Sequence, residues 1–524
     1  MITFRQEISL QWNFSRLRNF NLLLMMFLAQ MESTITSTSV ITITDDLGSY
    51  KKNSWMLTAY WLTTGAFKII WAKISDIIGR KTTIIAAVLI FTVFSGACGG
   101  SQTITQLIMF RWLQGICGCG ILALGQLLFF ELVSPPKYPP YIALVTSVVA
   151  LSLVIGPLVG GGITVHGDWR WVFLLNVPMG GLIILELLWV FPRQLFTEPA
   201  ACRGPLTIRF LRRIDFVGFA LLLGSCLFIT TGLQQAAIGY AFGSAFVLPL
   251  LIFAGPFAAI FIFWQWILTT RRTSPDPVFP WRFCQSRIRL AMILISWTNG
   301  VILSTCVVQI PRRFITVNGM TPLTASARFL AFGAFVPTGS TLAVAAMNRL
   351  KIKPYLVAAF AILLQIIGTV LLSRASTDSK IQASQYGMQT IVGIGVGIII
   401  SVVITLIPEE MEEQDVPIAT AAQSQFRLLG GLMAVSIGAV VTTRYLEGEL
   451  VKILPPDIVS RLMQRTETLH LLSGTTLDQA RDIFGKAYNR QMYVGVGLAS
   501  VQAPLVAMMA TNKVFPSVKG NNNR

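Results

Sequence analysis

Five ionisable side chains stand inside long apolar runs: Glu32, Lys68, Arg111, Glu186 and Arg427. A charge in hydrocarbon is expensive, so each is by default a candidate for moving a proton, an ion or a polar cargo. Glu32 is a candidate for proton uptake and release, because a carboxyl group that alternates between a dry and a wet setting changes its affinity for a proton. The competing reading makes it a buried acid that caps a polar network between helices. Around it, QMESTITSTSVITIT spreads Ser33, Thr34, Thr36, Ser37, Thr38 and Ser39 over several faces of one helix. Such a helix is poorly suited to face lipid all round, so at least one side is expected to line a water-filled cavity, with Ser33, Thr34 and Ser37 as candidate lining. Arg111 carries a guanidinium that stays protonated and needs a carboxylate, carbonyl or water partner. Gln114 is a further cavity candidate, and Gln423 with Arg427 forms a candidate polar site late in the chain. Glu186 in GLIILELLWVF reads as structural, and Lys68 as a long side chain that snorkels toward headgroups.

A second set of charges, Asp76, Arg80, Lys81, Glu131, Asp168, Arg170 and Asp215, falls near the ends of apolar runs. In WAKISDIIGRKTT at 71–83, one run closes and the next opens through a very short loop. There Asp76 is placed to accept from the start of the following helix. Arg80 and Lys81 are placed to grip carboxylates or carbonyls of neighbouring helices, a clasp that is strong where partly desolvated. The alternative is topological, since basic residues gather at cytoplasmic loops anyway.

The elements that must position these groups follow from composition. The 524 residues are 54% hydrophobic and 12% charged, with a mean hydropathy of +0.66. Soluble domains carry roughly 25% charged residues. Apolar stretches long enough to cross about 30 Å of hydrocarbon recur from end to end. They give about fourteen spans: 20–43, 55–75, 82–101, 105–131, 141–165, 171–191, 215–234, 244–268, 290–310, 326–347, 354–373, 386–407, 420–442 and 492–511. The expected fold is therefore an all-α membrane protein.

The net charge of +18 reports orientation rather than nucleic-acid binding, since no polar domain exists to present a basic face. Arg80 and Lys81, the arginines of 192–213 and 269–289, and Arg349, Lys351 and Lys353 fall on one side of the alternating spans, together with both termini. That side is expected to be cytoplasmic. The acidic PEEMEEQDVP at 408–417 is neutral under this rule, and the basic pairs at 51–52 and 312–313 run against it. The chain divides into a cytoplasmic segment 1–19, a first bundle 20–191, loops with two additional helices 192–289, a second bundle 290–511, and a tail 512–524. Within the second bundle, 443–491 is a long non-cytoplasmic polar loop whose Leu462, Leu469, Leu472, Ile483 and Phe484 suggest short amphipathic helices.

The seven cysteines read as small packing residues, Cys117 and Cys119 in GICGCG included, because their spacing suits no metal or redox motif. No cleaved signal peptide is read at the start; the first span serves as the signal. Two histidines, His166 and His470, make no metal pair. No nucleophile triad is evident, so an enzyme is not expected. The absence of a G-x-x-x-x-G-K-[ST] string argues against an ATP-driven machine.

Several ordered strings together resemble the major facilitator superfamily. DIIGRK resembles its loop motif G-x-L-a-D-r-x-G-r-k, giving Asp76, Gly79, Arg80 and Lys81, with Ala72 where the first glycine stands. FRWLQGICGCG at 110–120 resembles the fourth-helix motif R-x-x-q-G-x-g, and IGPLVGGGI at 155–163 the antiporter motif G-P-x-x-G-G, giving Gly156, Pro157, Gly160 and Gly161. DWRWVFLLNVPMG at 168–180 and the opening ESTITSTSV resemble the fourteen-span drug:proton antiporter branch, its fungal members especially.

The resemblance implies two six-helix halves rocking about a central site, with two extra helices between them. It implies that Arg111 assists a proton step by pairing with a carboxyl group, Glu32 being a partner available to it; the branch commonly carries aspartate at that place. It implies that the glycine-rich fifth helix helps seal one side against leak. The expected function is export of small organic compounds such as toxins, secondary metabolites or drugs, by a monomer that needs no cofactor, exchanges cargo for protons and sits in the plasma or vacuolar membrane. The supply of 33 Phe, 12 Trp and 10 Tyr is compatible with a broad apolar cavity. Alternatives are proton-coupled uptake of a siderophore or nutrient, and a membrane receptor on the same fold.

Overall fold

In hydrocarbon a segment must satisfy its own backbone hydrogen bonds, and successive long apolar runs do so as helices. The computed structural model describes residues 2–47, 53–132, 138–190, 215–271, 281–378, 380–411, 416–463 and 472–510, with positions 275, 277, 279 and 469. Every regular element among them is helical. Helices α1 (Ile2–Asp46), α2 (Asn53–Ala66), α3 (Lys68–Ile78), α4 (Arg80–Gly99), α5 (Ile104–Leu132), α6 (Tyr138–His166), α7 (Trp171–Leu174) and α8 (Asn176–Val190) form the first half. Its core is built on Leu22, Met25, Tyr60, Phe91, Leu124 and Ile183. Helices α9 (Phe216–Ile238) and α10 (Val247–Arg271) come next.

The second half comprises α11 (Arg287–Thr316), α12 (Pro322–Gly333), α13 (Phe335–Asn348), α14 (Pro354–Ser373), α15 (Ser384–Glu410), α16 (Val416–Leu450), α17 (Pro456–Leu462) and α18 (Gly474–Met508). Its cores gather Ala361, Ile399 and Val402 on one side and Phe314, Phe329 and Phe332 on the other.

Eleven helical stretches among the described residues are long and apolar enough to cross a membrane, and they coincide with eleven of the expected spans. The other three expected spans, 20–43, 55–75 and 141–165, fall on α1, α2–α3 and α6. Three spans are interrupted where single helices were expected: 55–75, 326–347 and 171–191, the last at Leu175 between α7 and α8. At Phe67 the ladder still runs through, Phe67 donating to Thr63 and Trp71 to Phe67, so α2 and α3 bend rather than separate. Between α12 and α13, Pro337 cannot donate to the Gly333 carbonyl, which accounts for the interruption beside it.

The polar stretch 443–491 is mostly helix rather than loop. α16 runs on to Leu450 and α18 starts at Gly474, leaving 451–473 with α17 between them. Leu446, Leu450, Leu454, Leu462, Leu469, Ile483 and Phe484 bury one another against Val317, forming a small cap on the bundle. The loop 192–213, the Lys51–Lys52 pair, positions 412–415 of PEEMEEQDVP, His470, Cys202 and the tail 512–524 lie outside the described residues.

Successive spans alternate in direction, so Arg80, Lys81, Arg349, Lys351 and Lys353 share one end of the bundle, the basic end. Helix α9 fills the crevice between α2 and α16. Ser54 Oγ donates to Gln234 Oε1 at 2.5 Å and Gln234 Nε2 to Thr58 Oγ1 at 2.9 Å, while Ala236 and Ala237 pack with Val440. Helix α10 lies at the periphery, where Ile252, Phe253, Ile260 and Phe263 are each at least half exposed. An apolar face turned outward is stable only against lipid.

Gly79 joins α3 to α4 with φ of 97° and ψ of 144°, a conformation that side chains with a Cβ rarely adopt. No neighbour lies within 4 Å of an added methyl there, so the penalty is purely conformational. Gly79→Ala is expected to lower stability by about 1–3 kcal/mol, read as thermal unfolding of the purified protein in detergent. Gly181→Ala in α8, where a methyl also meets open space, should leave the transition in place or raise it slightly, since alanine is the better helix former.

Candidate functional site

Helix α1 carries its hydroxyls through the bundle in a way that composition conceals. Thr36 donates to the Glu32 carbonyl at 2.9 Å, Ser37 to Thr34 at 2.6 Å, Thr38 to Ile35 at 3.1 Å and Ser39 to Ile35 at 3.0 Å. Each hydroxyl is satisfied by its own helix, which removes the need for water that the sequence suggests. Ser33 likewise bonds Gln30, and Thr34 bonds Met31 and, across the α1–α6 seam, the Ser152 carbonyl at 3.0 Å. Of the three candidate lining residues, Ser37 borders a cavity of about 40 Å³, shared with Ser54, Gln309, Arg312 and Thr443. That volume holds a few waters and no organic molecule.

Glu32 sits at the centre of this helix, fully buried. Its Oε1 accepts from Arg111 Nη1 of α5 in an ion pair with neither side chain exposed, and its Oε2 accepts from Asn176 Nδ2 of α8 at 2.5 Å. Arg111 also donates to Gln114 Oε1 at 2.8 Å, and Gln114 Nε2 donates to Ser95 Oγ of α4 at 2.8 Å. The guanidinium lies 4.3 Å from the Tyr60 ring centroid and 5.5 Å from that of Phe173, a cation held over two π faces. Six helices thus converge on one acid and one base, α2 and α7 supplying the rings.

The loop motif forms a clasp at the basic end. Arg80 pairs with Glu131 at the end of α5, its Nη2 2.7 Å from Oε1, and also reaches Ser75 and the Ala72 carbonyl. Lys81 Nζ donates to the Leu188 carbonyl near the end of α8 at 3.3 Å. Asp76 lies in α3, and its side chain is outside the described set.

The glycine-rich stretch of α6 faces two ways. Gly156 and Gly160 lie on α1, where a methyl on Gly160 would stand 2.7 Å from Thr38 Oγ1. Gly161 faces the other half, where a methyl would come within 2.7 Å of the Pro322 carbonyl oxygen and 2.8 Å of Ser326 Oγ on α12. Pro157 lies buried between them, its carbonyl accepting from Thr38 Oγ1 at 3.4 Å.

Residues 22–275 match the family model described as Major Facilitator Superfamily. The MFS-type transporter FPY5 of Fusarium mangiferae is 32% identical over 475 residues, covering 90% of this chain and 80% of the relative. The chain belongs to the major facilitator superfamily. The efflux pump FUS6 of Gibberella fujikuroi is 27% identical over 443 residues, 83% of this chain and 77% of that one. A bacterial homologue of the human lysosomal transporter Spinster, solved in an inward-facing unoccupied conformation, shares the fold. Its TM-score is 0.61 at 13% identity, covering 95% of this chain and 96% of that one. This is therefore a multi-pass membrane transporter of the major facilitator type and not an enzyme.

In this transporter the remaining candidates separate. Gln423 is buried on α16, four residues before Arg427, and neither is joined to the Glu32 network by a hydrogen bond or ion pair among the described residues. Lys68 does not snorkel: it is 2% exposed and its Nζ donates to Ser424 Oγ of α16, because it points into the seam between halves rather than along the lipid face. Glu186 ties α8 to α1 by accepting from Asn21 Nδ2 at 2.7 Å.

Neutral amides are what the search for charges misses. Asn176 completes the shell of Glu32. In the second half of the transporter, Gln365 Nε2 donates to Asn299 Oδ1 at 2.9 Å, and both amide atoms of buried Gln491 and Gln502 lack hydrogen-bond partners. Their signal in the sequence is a glutamine or asparagine within an apolar run, a weaker mark than a charge.

Proposed function

We propose that this transporter exports small organic compounds in exchange for protons carried by Glu32, with Arg111 as its counter-charge. The observation that supports it best is the dry ion pair between Glu32 and Arg111, held in the interior of the first half. Protonation of Glu32 removes the negative partner, yet Arg111 keeps Gln114 and the faces of Tyr60 and Phe173. The pair can open without stranding a buried cation, which is what a reversible proton site requires. When Arg111 returns, its positive charge favours release of the proton.

Two seams between the halves support an alternating cycle. One joins Gly161 to α12, and the other joins Lys68 to α16 nearer the basic end. Export rather than uptake is favoured by the relatives named as efflux pumps. On this reading the protein works as a monomer in the plasma membrane, driven by the proton gradient without a cofactor.

The test uses inside-out membrane vesicles, acid inside, offered a panel of fungal metabolites and drugs. Wild-type vesicles are expected to accumulate a cargo and to lose it when a protonophore is added. Glu32→Gln should fall to the protonophore level while still exchanging labelled for unlabelled cargo downhill. Full gradient-driven accumulation by Glu32→Gln would overturn the assignment.

A further inference from the structure

Two cations stand apart from the proton site. Lys68 opens α3 in the first half and reaches Ser424 on α16 of the second half, where Ser424 Oγ also lies 3.5 Å from Gln126 Oε1 of α5. Arg427 follows Ser424 by three residues, so the two share a face of α16, and the guanidinium's charge bears on Lys68. Arg427 Nε is buried and makes no hydrogen bond. Among the described residues, neither cation has a carboxylate within ion-pair distance.

This arrangement is costly as a piece of scaffold. Lys68 gives up its hydration and half-buried Arg427 part of its own, and the two like charges repel. Packing of the seam does not rest on them alone, since Gly65 of α2, in the preceding turn of the same span, already meets Leu429 of α16. An anion between them converts both penalties into attraction: arginine offers a planar fork and lysine a mobile point charge. The two cations meet at the seam between the halves, where separation of α3 from α16 would admit a molecule.

We propose that Lys68 and Arg427 hold a carboxylate group of the cargo, so that the compounds carried are organic anions. This rests on the transport reading above and adds to it the charge of the cargo. Each monoanion exported against one incoming proton moves two positive charge equivalents inward, so membrane potential as well as pH drives the exchange.

The experiment compares two xanthene dyes with the same ring system, anionic fluorescein and cationic rhodamine 123. Binding to the purified full-length protein in detergent is measured by fluorescence anisotropy at one fixed pH. Fluorescein is expected to bind at least about tenfold more tightly, as charge-assisted hydrogen bonds require. Lys68→Gln and Arg427→Gln should each lose that preference, whereas Lys68→Arg should keep it.

Without dye, the two glutamine variants should unfold at the wild-type temperature or above it, because each removes a repulsion; a scaffold role for the cations predicts the opposite. A preference for rhodamine, no preference, no fluorescein binding, or glutamine variants that melt early and still bind fluorescein would each overturn the proposal. Displacement of fluorescein by added phosphatidylserine, lost in Lys68→Gln, would assign the site to a lipid headgroup and overturn it as well. Because binding is read at equilibrium without a gradient, this test can fail while proton coupling through Glu32 stands, and the reverse.

Discussion

Replacing Arg111 by leucine is expected to lower stability by about 3–5 kcal/mol, because it strands the Glu32 carboxylate in a dry interior. Transport should be abolished in the same variant. The measurement is thermal unfolding in detergent followed by tryptophan fluorescence, for Arg111→Leu, Glu32→Gln and the double variant. Removing both charges leaves no uncompensated ion, so Glu32→Gln/Arg111→Leu is expected to unfold at a higher temperature than Arg111→Leu alone. Glu32→Gln by itself should be milder, since Arg111 retains Gln114 and two aromatic faces. If the single arginine variant and the double variant melted together, the pair would not be coupled as the geometry requires.

The second large effect is expected at the seam between the halves. Gly161→Leu drives a branched side chain toward the Pro322 carbonyl and Ser326. Overpacking of this kind costs about 1–3 kcal/mol. Here the cost falls on the state in which α6 and α12 touch, and a bias of that size shifts a two-state equilibrium by about 5- to 150-fold. Gradient-driven transport should fall accordingly, while each half, whose own core is untouched, still folds. Gly162→Ala is the control, since its methyl meets only Leu323 Cδ1 at an ordinary 3.8 Å. Wild-type transport by Gly161→Leu would show that the seam need not close during the cycle.

How much of this was legible in the sequence depended on the kind of signal. A charge in an apolar run is conspicuous, so Glu32, Arg111 and Lys68 could be singled out by type alone. Hydropathy fixes the depth of a residue but not the direction it faces, and Lys68 therefore looked free to snorkel when it points at α16. The hydroxyls of α1 suggested a wet face because composition counts polar groups and cannot show that each folds back on its own carbonyls. Leu462, Ile483 and Phe484 signal amphipathic helix within 443–491, but averaging over a window blends the two faces of such a helix and hides that α16 and α18 run deep into the stretch and bury Leu446 with them. Asn176 was missed because a neutral amide leaves no mark of its own until α8 is seen to lie against Glu32.

The self-satisfied hydroxyls of α1 also bear on how the chain is made. Helix α1 leaves the ribosome before any partner helix exists, and a segment with this many side-chain hydroxyls would be a poor substrate for insertion if each needed an outside acceptor. Bonded to their own backbone, they enter the bilayer as part of the helix, and the charge of Glu32 remains unmatched until α5 delivers Arg111 and α8 delivers Asn176. Nascent chains that end before α5 should therefore be the species that cellular quality control removes, and Arg111 becomes a checkpoint of biogenesis.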